Sequence, residues 1–330
     1  MTDSHHFDLT VSKEYIMCGM TGWASFQREL KNEVAIAQAM TDTLVNRGPD
    51  ARGVWLDDHI VLGHTRLSVI DLAGGIQPMQ ITNDQGRHLV MSYNGEVYNY
   101  PELRAELIAA GHSFKSESDT EVVLTAYLEW GEDFAKRLNG IFALAIWDVN
   151  KEELLLVRDH MGVKPLYYYP LADGLLFGSE PKSILAHPEV NAVIDNEGLK
   201  EIFTIVKTPG HAIFKGMFEL LPGSIMKFNR QGRTERKYWT LEAREHTDDL
   251  ETTIDNVREL MTDIVDHQVV ADVPLGTLLS GGLDSSALTV LAANAKKKRG
   301  NTDPLKAFSI DFVGYEDQFA SNVQWEDPDT

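Results

Sequence analysis

A single cysteine, Cys18, stands in the stretch Met17-Cys18-Gly19-Met20-Thr21-Gly22. The thiolate is the nucleophile, so a reactive cysteine needs a base. An α-amine has an ordinary pKa of about 7.7–8.0 and can serve as that base near neutral pH. If translation starts at Met17, or if the segment before Cys18 is removed, Cys18 carries thiol and free amine together. One residue then supplies nucleophile and base. Glycines at 19 and 22 leave the backbone open around the sulfur. On its own, a lone cysteine reads first as a small buried hydrophobe. A second set of chemistry-bearing residues is Ser280-Gly281-Gly282-Leu283-Asp284-Ser285-Ser286. Its glycines let backbone amides converge, and a following helix adds its positive end, which together suit a phosphate. It is not a Walker A loop, because the Gly-Lys-Ser/Thr ending is absent. The plain alternative is a Gly-Ser turn before a helix.

These residues need elements to hold them. Val34 to Leu44 is helical in composition and stops before the turn-forming Arg47-Gly48-Pro49-Asp50. Ile60 to Ile70 reads as a strand broken at Gly63, and Leu89 to Tyr98 as a second strand. Within the latter, Asn94-Gly95 taken alone is a hairpin signal. Pro101 suits the first turn of a helix over 102–110, closed by Gly111. Ser118 with Glu121 has capping-box spacing and opens a helix to Trp130. Ile141 to Asp148, Leu154 to Arg158, Leu166 to Tyr169 and Leu175 to Gly178 form a meander of strands, which predicts antiparallel sheet. Beyond Trp239 the pattern changes. A polar linker over 242–249 precedes a helix over 250–270, a short strand over 275–279, a helix over 283–298 and a strand over 306–312. Strand, helix, strand is one βαβ unit. The run Lys296-Lys297-Lys298-Arg299 sits at a helix C-terminus, where the dipole favours cations.

A length of 330 residues allows about two domains of ~100–200 residues each. Hydrophobic residues are 43% and charged residues 24%, as in a globular protein with a sizeable core. A net charge of −20 argues against a nucleic-acid partner. No run of ~18 apolar residues occurs, so no membrane span is expected. One cysteine permits no internal disulfide, which fits a reducing, cytoplasmic setting. Residues 1–17 read as an extension or a misassigned start.

The loop at Ser280 resembles the PP-loop of ATP pyrophosphatases, enzymes that split ATP between its α and β phosphates. With it stand Met17-Cys18-Gly19, Arg47-Gly48-Pro49-Asp50, Gly63-His64-Thr65-Arg66-Leu67-Ser68, Tyr93-Asn94-Gly95-Glu96, Ser118-Asp119-Thr120-Glu121 and Arg158-Asp159-His160-Met161-Gly162-Val163-Lys164-Pro165. In this order the set resembles the glutamine-dependent asparagine synthetases, from Cys18 to the end of the sequence. The resemblance implies an α+β fold over 18–240, a four-layer αββα N-terminal-nucleophile hydrolase domain. Over 241–330 it implies part of an α/β parallel-sheet PP-loop domain, cut inside that domain. It further implies that Cys18 attacks the side-chain amide of glutamine, with Asn94 and the Gly95 N–H as oxyanion hole. Arg66 would hold the α-carboxylate, Asp119 with Glu96 the α-ammonium, and the backbone of Leu67, Ser68, Val69 and Ile70 would line the pocket. ATP, an implied substrate, would meet Leu279, Ser280, Gly281, Gly282, Asp284, Ser285, Ser286 and Ile310, with Asp284 placing Mg²⁺ and no organic prosthetic group.

The implied reaction activates aspartate as β-aspartyl-AMP, and ammonia then converts it to asparagine. A homodimer is compatible with the same resemblance. Taken one at a time, Arg66 reads as a surface ion pair, Asp119 as a first-turn helix residue and His64 as a structural histidine. Amidation of another carboxylate, or a non-catalytic protein on this scaffold, are the competing readings. An intact Cys18 disfavours a β-lactam-forming relative, and the Ser280 loop disfavours amidotransferases making glucosamine phosphate or phosphoribosylamine. A chain ending at Thr330 is expected to retain at most the glutaminase half.

Overall fold

The structure, a computed structural model, describes residues 17–309. The chain divides into two compact units between Glu242 and Ala243. In the first unit the order begins with β1 (Gly19–Ser25), α1 (Val34–Asp42), β2 (Ala51–Asp57), β3 (Ile60–Arg66), β4 (Met79–Thr82) and β5 (His88–Val97). It continues with α2 (Tyr100–Ala109), α3 (Asp119–Trp130), β6 (Gly140–Asp148), β7 (Glu153–Arg158), β8 (Tyr167–Leu171) and β9 (Gly174–Gly178). It closes with α4 (Pro181–Leu185), α5 (Asn196–Thr204), β10 (Phe218–Glu219), β11 (Ser224–Asn229) and β12 (Gly232–Lys237).

Two antiparallel sheets result, ordered β10-β8-β9-β1-β3-β2 and β12-β11-β7-β6-β5-β4. Strand side chains alternate between faces, and here both faces are apolar. Met20, Ala24 and Leu62 of the first sheet meet Val90, Ala145 and Leu156 of the second in a core between the sheets. The intervening residues point outward. Trp23 and Val61 pack on Ala37 and Met40 of α1 and Ile184 of α4. Leu89, Met91, Leu144 and Val157 pack on Leu103 of α2 and Val122 of α3. Three apolar layers between four layers of backbone make the expected αββα arrangement. Each buried Leu, Val or Phe contributes about 1.5–3 kcal/mol, whereas an exposed ion pair contributes at most ~1 kcal/mol. The layers therefore hold the unit together.

Three local expectations are corrected. Gly63 does not break β3: it lies mid-strand, where a Cβ would sit 2.1 Å from Thr41 Oγ1 of α1, so the glycine serves close helix–sheet packing. Asn94-Gly95 is not a turn but part of β5, opposite Ala143 and Phe142. Ser118 does cap α3, accepting from the Thr120 N–H at 3.1 Å. Glu121 does not complete a capping box, because its carboxylate accepts instead from the Lys115 and Ser116 N–H groups.

In the second unit, α6 (Leu250–Gln268) packs Val265 against Ala292 and Ala295 of α7 (Leu283–Lys298). Strands β13 (Gly276–Leu278) and β14 (Lys306–Phe308) pair in parallel, Leu278 opposite Phe308. The expected βαβ unit is thus present, with shorter strands. The strand end at 310–312, Ile310 included, lies outside the described residues. The basic run at the end of α7 is engaged locally: Lys298 pairs with Asp266 at 3.1 Å, and Lys296 donates to the Asp303 carbonyl at 2.8 Å.

Candidate active site

Cys18 precedes β1, and the pairing of Gly19 with Thr65 sets it beside the end of β3. The Leu67 N–H donates to Cys18 Sγ at 3.4 Å. Arg47 Nε donates to the Cys18 carbonyl at 2.8 Å, and Arg47 Nη1 pairs with Glu180 at 2.8 Å. Gly48 lets this turn approach, since a Cβ there would lie 2.4 Å from the Arg66 nitrogen. Asp50 completes the clamp by accepting from the Ser68 N–H at 2.8 Å. The backbone on both sides of the sulfur is therefore fixed. Burial pushes the Cys18 thiol up, while the Leu67 hydrogen bond and the charge of Arg66 pull it down.

The opposite wall is β5 of the other sheet. Strand β4 pairs with β5 only as far as Met91, so the edge of β5 is open beyond it. N–H groups two residues apart on a strand point the same way. On this edge Tyr93 N–H donates to Gln77 Oε1 at 2.6 Å and Val97 N–H donates to Asp119 Oδ2 at 3.1 Å. Gly95 lies between them, so its N–H points from the same edge. A Cβ on Gly95 would sit 2.2 Å from the Ile141 carbonyl oxygen, and its φ of 154° is a glycine conformation. Beside it the Asn94 side chain is fully buried, and neither of its amide atoms has a hydrogen-bond partner among the described residues. Buried polar atoms are nearly always paired, so this orphaned amide marks a place prepared for a ligand.

Cys18, Asn94 and Gly95 line one cleft of about 150 Å³. Pockets for drug-sized ligands run about 300–1,000 Å³, so this one suits a molecule of amino-acid size. Its charges are sorted. Arg66 is held by the carbonyls of Ile70, Asp71 and Leu72 at 3.2, 2.6 and 2.8 Å. That spends three of the five guanidinium donors and leaves two. Asp119 Oδ2 accepts from Tyr93 OH at 2.8 Å. Burial raises the Asp119 carboxyl against the pull of the Val97 and Tyr93 hydrogen bonds. Burial, then the charge of Asp119, raises Glu96. Lys164 also lines the cleft, and burial lowers its ammonium.

The predicted residues Cys18, Arg66, Leu67, Val69, Ile70, Asn94, Gly95, Glu96 and Asp119 all border this cleft. Ser68 is the correction: its N–H is turned to Asp50 and it does not border the cleft. Gln77, Tyr93, Ser118, Thr120 and Lys164 border it without a role having been assigned to them. Four of these five stand in the ordered motifs, which was the available signal. Gln77 carried none. His64 is fully buried against Ser92 at 3.1 Å, does not line the cleft, and is held neutral, pushed down to about 3 by burial.

In the second unit Gly281 has φ of 80°, and Gly282 is the N-cap of α7. Ser285 Oγ lies 3.1 Å from Ser280 Oγ and donates to the Gly282 carbonyl at 3.1 Å, folding the loop over the helix end. The Leu279 N–H donates to Phe308 of the parallel partner strand at 2.8 Å. Asp284 stands exposed in the first turn of α7. Among the described residues no group of three or more His, Cys, Asp or Glu is placed to hold a metal. Mg²⁺ commonly uses one or two carboxylates plus substrate phosphates, so Asp284 beside the loop fits Mg²⁺ only together with bound phosphate. No helix among the described residues is long and apolar enough to cross a membrane.

A glutamine amidotransferase domain family matches residues 17–239, and an asparagine synthase family matches residues 256–325. Asparagine synthetase [glutamine-hydrolyzing] 3 of Bacillus subtilis is 47% identical over 309 residues, 93% of this chain and 50% of that protein. Amidase chry2 of Gibberella zeae is 33% identical over 327 residues, 90% of this chain and 47% of that protein. The chain spans about half the length of the curated relatives it matches. Among solved structures, glutamine phosphoribosylpyrophosphate amidotransferase from Bacillus subtilis aligns with a TM-score of 0.52. That alignment covers 88% of this chain and 65% of the other at 16% identity, which shows a shared N-terminal-nucleophile hydrolase fold.

Proposed function

We propose, for a chain that belongs to the glutamine amidotransferase domain family, that its first unit hydrolyses glutamine to glutamate and ammonia at Cys18. The orphaned, buried amide of Asn94 in the cleft of Cys18 carries this reading. Glutamine enters with its α-carboxylate toward Arg66 and its α-ammonium toward Asp119 and Glu96. The Cys18 α-amine, freed by loss of residues 1–17, takes the thiol proton. Sγ attacks the side-chain amide carbon, and the C=O pair moves onto oxygen. Asn94 Nδ2 and the Gly95 N–H donate to that oxyanion, each donor being worth about 2.7–4 kcal/mol in comparable sites. The tetrahedral intermediate collapses, and the amine returns its proton to the departing ammonia. Water, deprotonated by the same amine, clears the glutamyl thioester to glutamate.

For the second unit the reading is a phosphate loop of an ATP-dependent ligase. Ser280, Gly281, Gly282, Ser285 and Ser286 would receive ATP, Leu279 would border the nucleotide, and Asp284 would join Mg²⁺ to the phosphates. The match to an asparagine synthase family and the 47% identity to an asparagine synthetase support aspartate as the acceptor, activated as β-aspartyl-AMP with release of pyrophosphate. Ammonia then displaces AMP to give asparagine. That one relative is named an amidase and not an asparagine synthetase leaves open a second reading, in which a different carboxylate is amidated. A single cysteine supports a cytoplasmic location. Glutamate release, compared between the parent and Cys18→Ala, tests the first unit: equal background rates defeat the enzymatic reading. Exchange of pyrophosphate with ATP in the presence of aspartate or other acids, on the full-length protein, decides the acceptor.

A further inference from the structure

Lys164 is a buried lysine with no ion-pair partner among the described residues. Its side chain lines the cleft of Cys18, and the residue is only 4% exposed. Among the described residues its ammonium donates to Met17 Sδ and has no carboxylate within 4 Å. A thioether is a weak acceptor, and an unpaired buried charge is costly. The backbone shows that this placement is enforced. Asp159 accepts from the N–H groups of Val163 and Lys164, both at 2.9 Å. Arg158 Nε donates to the Lys164 carbonyl at 2.9 Å, and Arg158 is itself anchored on buried Glu219 at 3.1 Å. Both polar groups of the Lys164 backbone are thus tied, and the ammonium is delivered beside Met17, one residue from the Cys18 nitrogen.

We propose that Lys164 supplies the fixed positive charge that favours the thiolate of Cys18 and keeps its α-amine unprotonated. The inference deepens the glutaminase reading and rests on it. A cation nearby favours an anion and disfavours a second cation, so one ammonium prepares both halves of the nucleophile-and-base pair. Arg66 also faces the thiol, but the reading above gives its remaining donors to the substrate carboxylate. Substrate binding then leaves Lys164 as the cation facing the sulfur. The other charged groups around Lys164 are Glu96 on β5, Arg47 ahead of β2 and Asp159 after β7, with Asp119 on α3 facing Cys18. Glu96 and Asp119 oppose the effect; burial raises both carboxyls and also lowers the Lys164 ammonium, which the charge of Glu96 pulls back up. Lys164 acts through Cys18 and is a positioning residue rather than a catalytic one.

The test uses the chain beginning at Cys18 and two readouts against pH: kcat/KM for glutamine, and the rate at which iodoacetamide alkylates Cys18. In Lys164→Met the acid limb and the alkylation midpoint are both expected to rise by about one pH unit. Lys164→Arg, which keeps the charge, returns both toward the parent. Midpoints that stay in place in Lys164→Met overturn the proposal. If that variant does not fold, Lys164→Gln is read in the same way. Alkylation needs no turnover. A parent that alkylates but releases no glutamate therefore defeats the glutaminase reading, while the Lys164 shift is still measured.

Discussion

At the scale of single residues, the cleft combines one thiol, one amide unpaired among the described residues, and a sorted set of charges. The Asn94 amide gives the sharpest expectation. It is buried and unpaired among the described residues, so it costs stability in the free protein and returns that cost only when a ligand accepts its hydrogen bond. Asn94→Leu, similar in size, should lower the glutaminase kcat by about 10²–10³-fold. Its thermal midpoint should equal or exceed that of the parent. Loss of activity with a matching loss of stability would mean that Asn94 is structural. Residue types were legible in the sequence because six short motifs and the stronger Ser280 loop occur in order. Cys18, Arg66, Asn94, Gly95 and Asp119 could be named this way. Ser68 was misplaced, because a motif does not say which backbone groups face inward: Asp50 takes its N–H. Lys164 was inside a quoted motif, yet its isolation as a cation is a property of packing, invisible until the Asp159 turn is folded.

At the scale of elements, the open edge of β5 turns sequence into chemistry. It stops pairing with β4 at Met91 and spends its next N–H groups on Gln77, the cleft and Asp119. Gly95→Ala should lower the melting temperature and glutamate release together. Its Cβ meets the backbone oxygen of Ile141, which no rotamer change can move aside. A variant as stable and active as the parent would refute this account of the strand. On β3, His64 is held neutral by burial, down to about 3 from its ordinary 6.5. The folded state thus refuses a proton that the unfolded chain accepts. The stabilisation is complete above pH 6.5 and is lost as pH falls toward 3, at up to about 1.4 kcal/mol per pH unit. The raised carboxyls of Asp119 and Glu96 act in the opposite sense, so the parent is best compared with His64→Gln. Between pH 7 and 5 the urea midpoint of the parent should fall relative to the variant, and parallel curves would contradict this. Asn94-Gly95 reads as a hairpin by local preference, but pairing with Ala143 and Phe142 overrides it. The same applies to Gly63, whose missing Cβ makes room for Thr41.

At the scale of the whole molecule, alternation of apolar residues on both faces of both sheets explains why helices cover each outer face. The meander over 141–178 and the helices α1, α2 and α3 were readable from period and caps. Strands β1, β2 and β4 were not, because glycines in β1, charges in β2 and the shortness of β4 hide the two-residue period. The polar segment over 242–249 joins the two units. Limited proteolysis should cut there first and leave a first unit that still melts cooperatively. Initial cuts inside β5 or β6 would contradict the division. Whether Cys18 is both nucleophile and base is tested by one comparison. Glutamate release is measured for the chain whose first residue is Cys18, verified by mass spectrometry, and for the same chain retaining residues 1–17. Turnover is expected in the first, lost in Cys18→Ala, and background alone in the second. Equal turnover with residues 1–17 in place would contradict the dual role of Cys18.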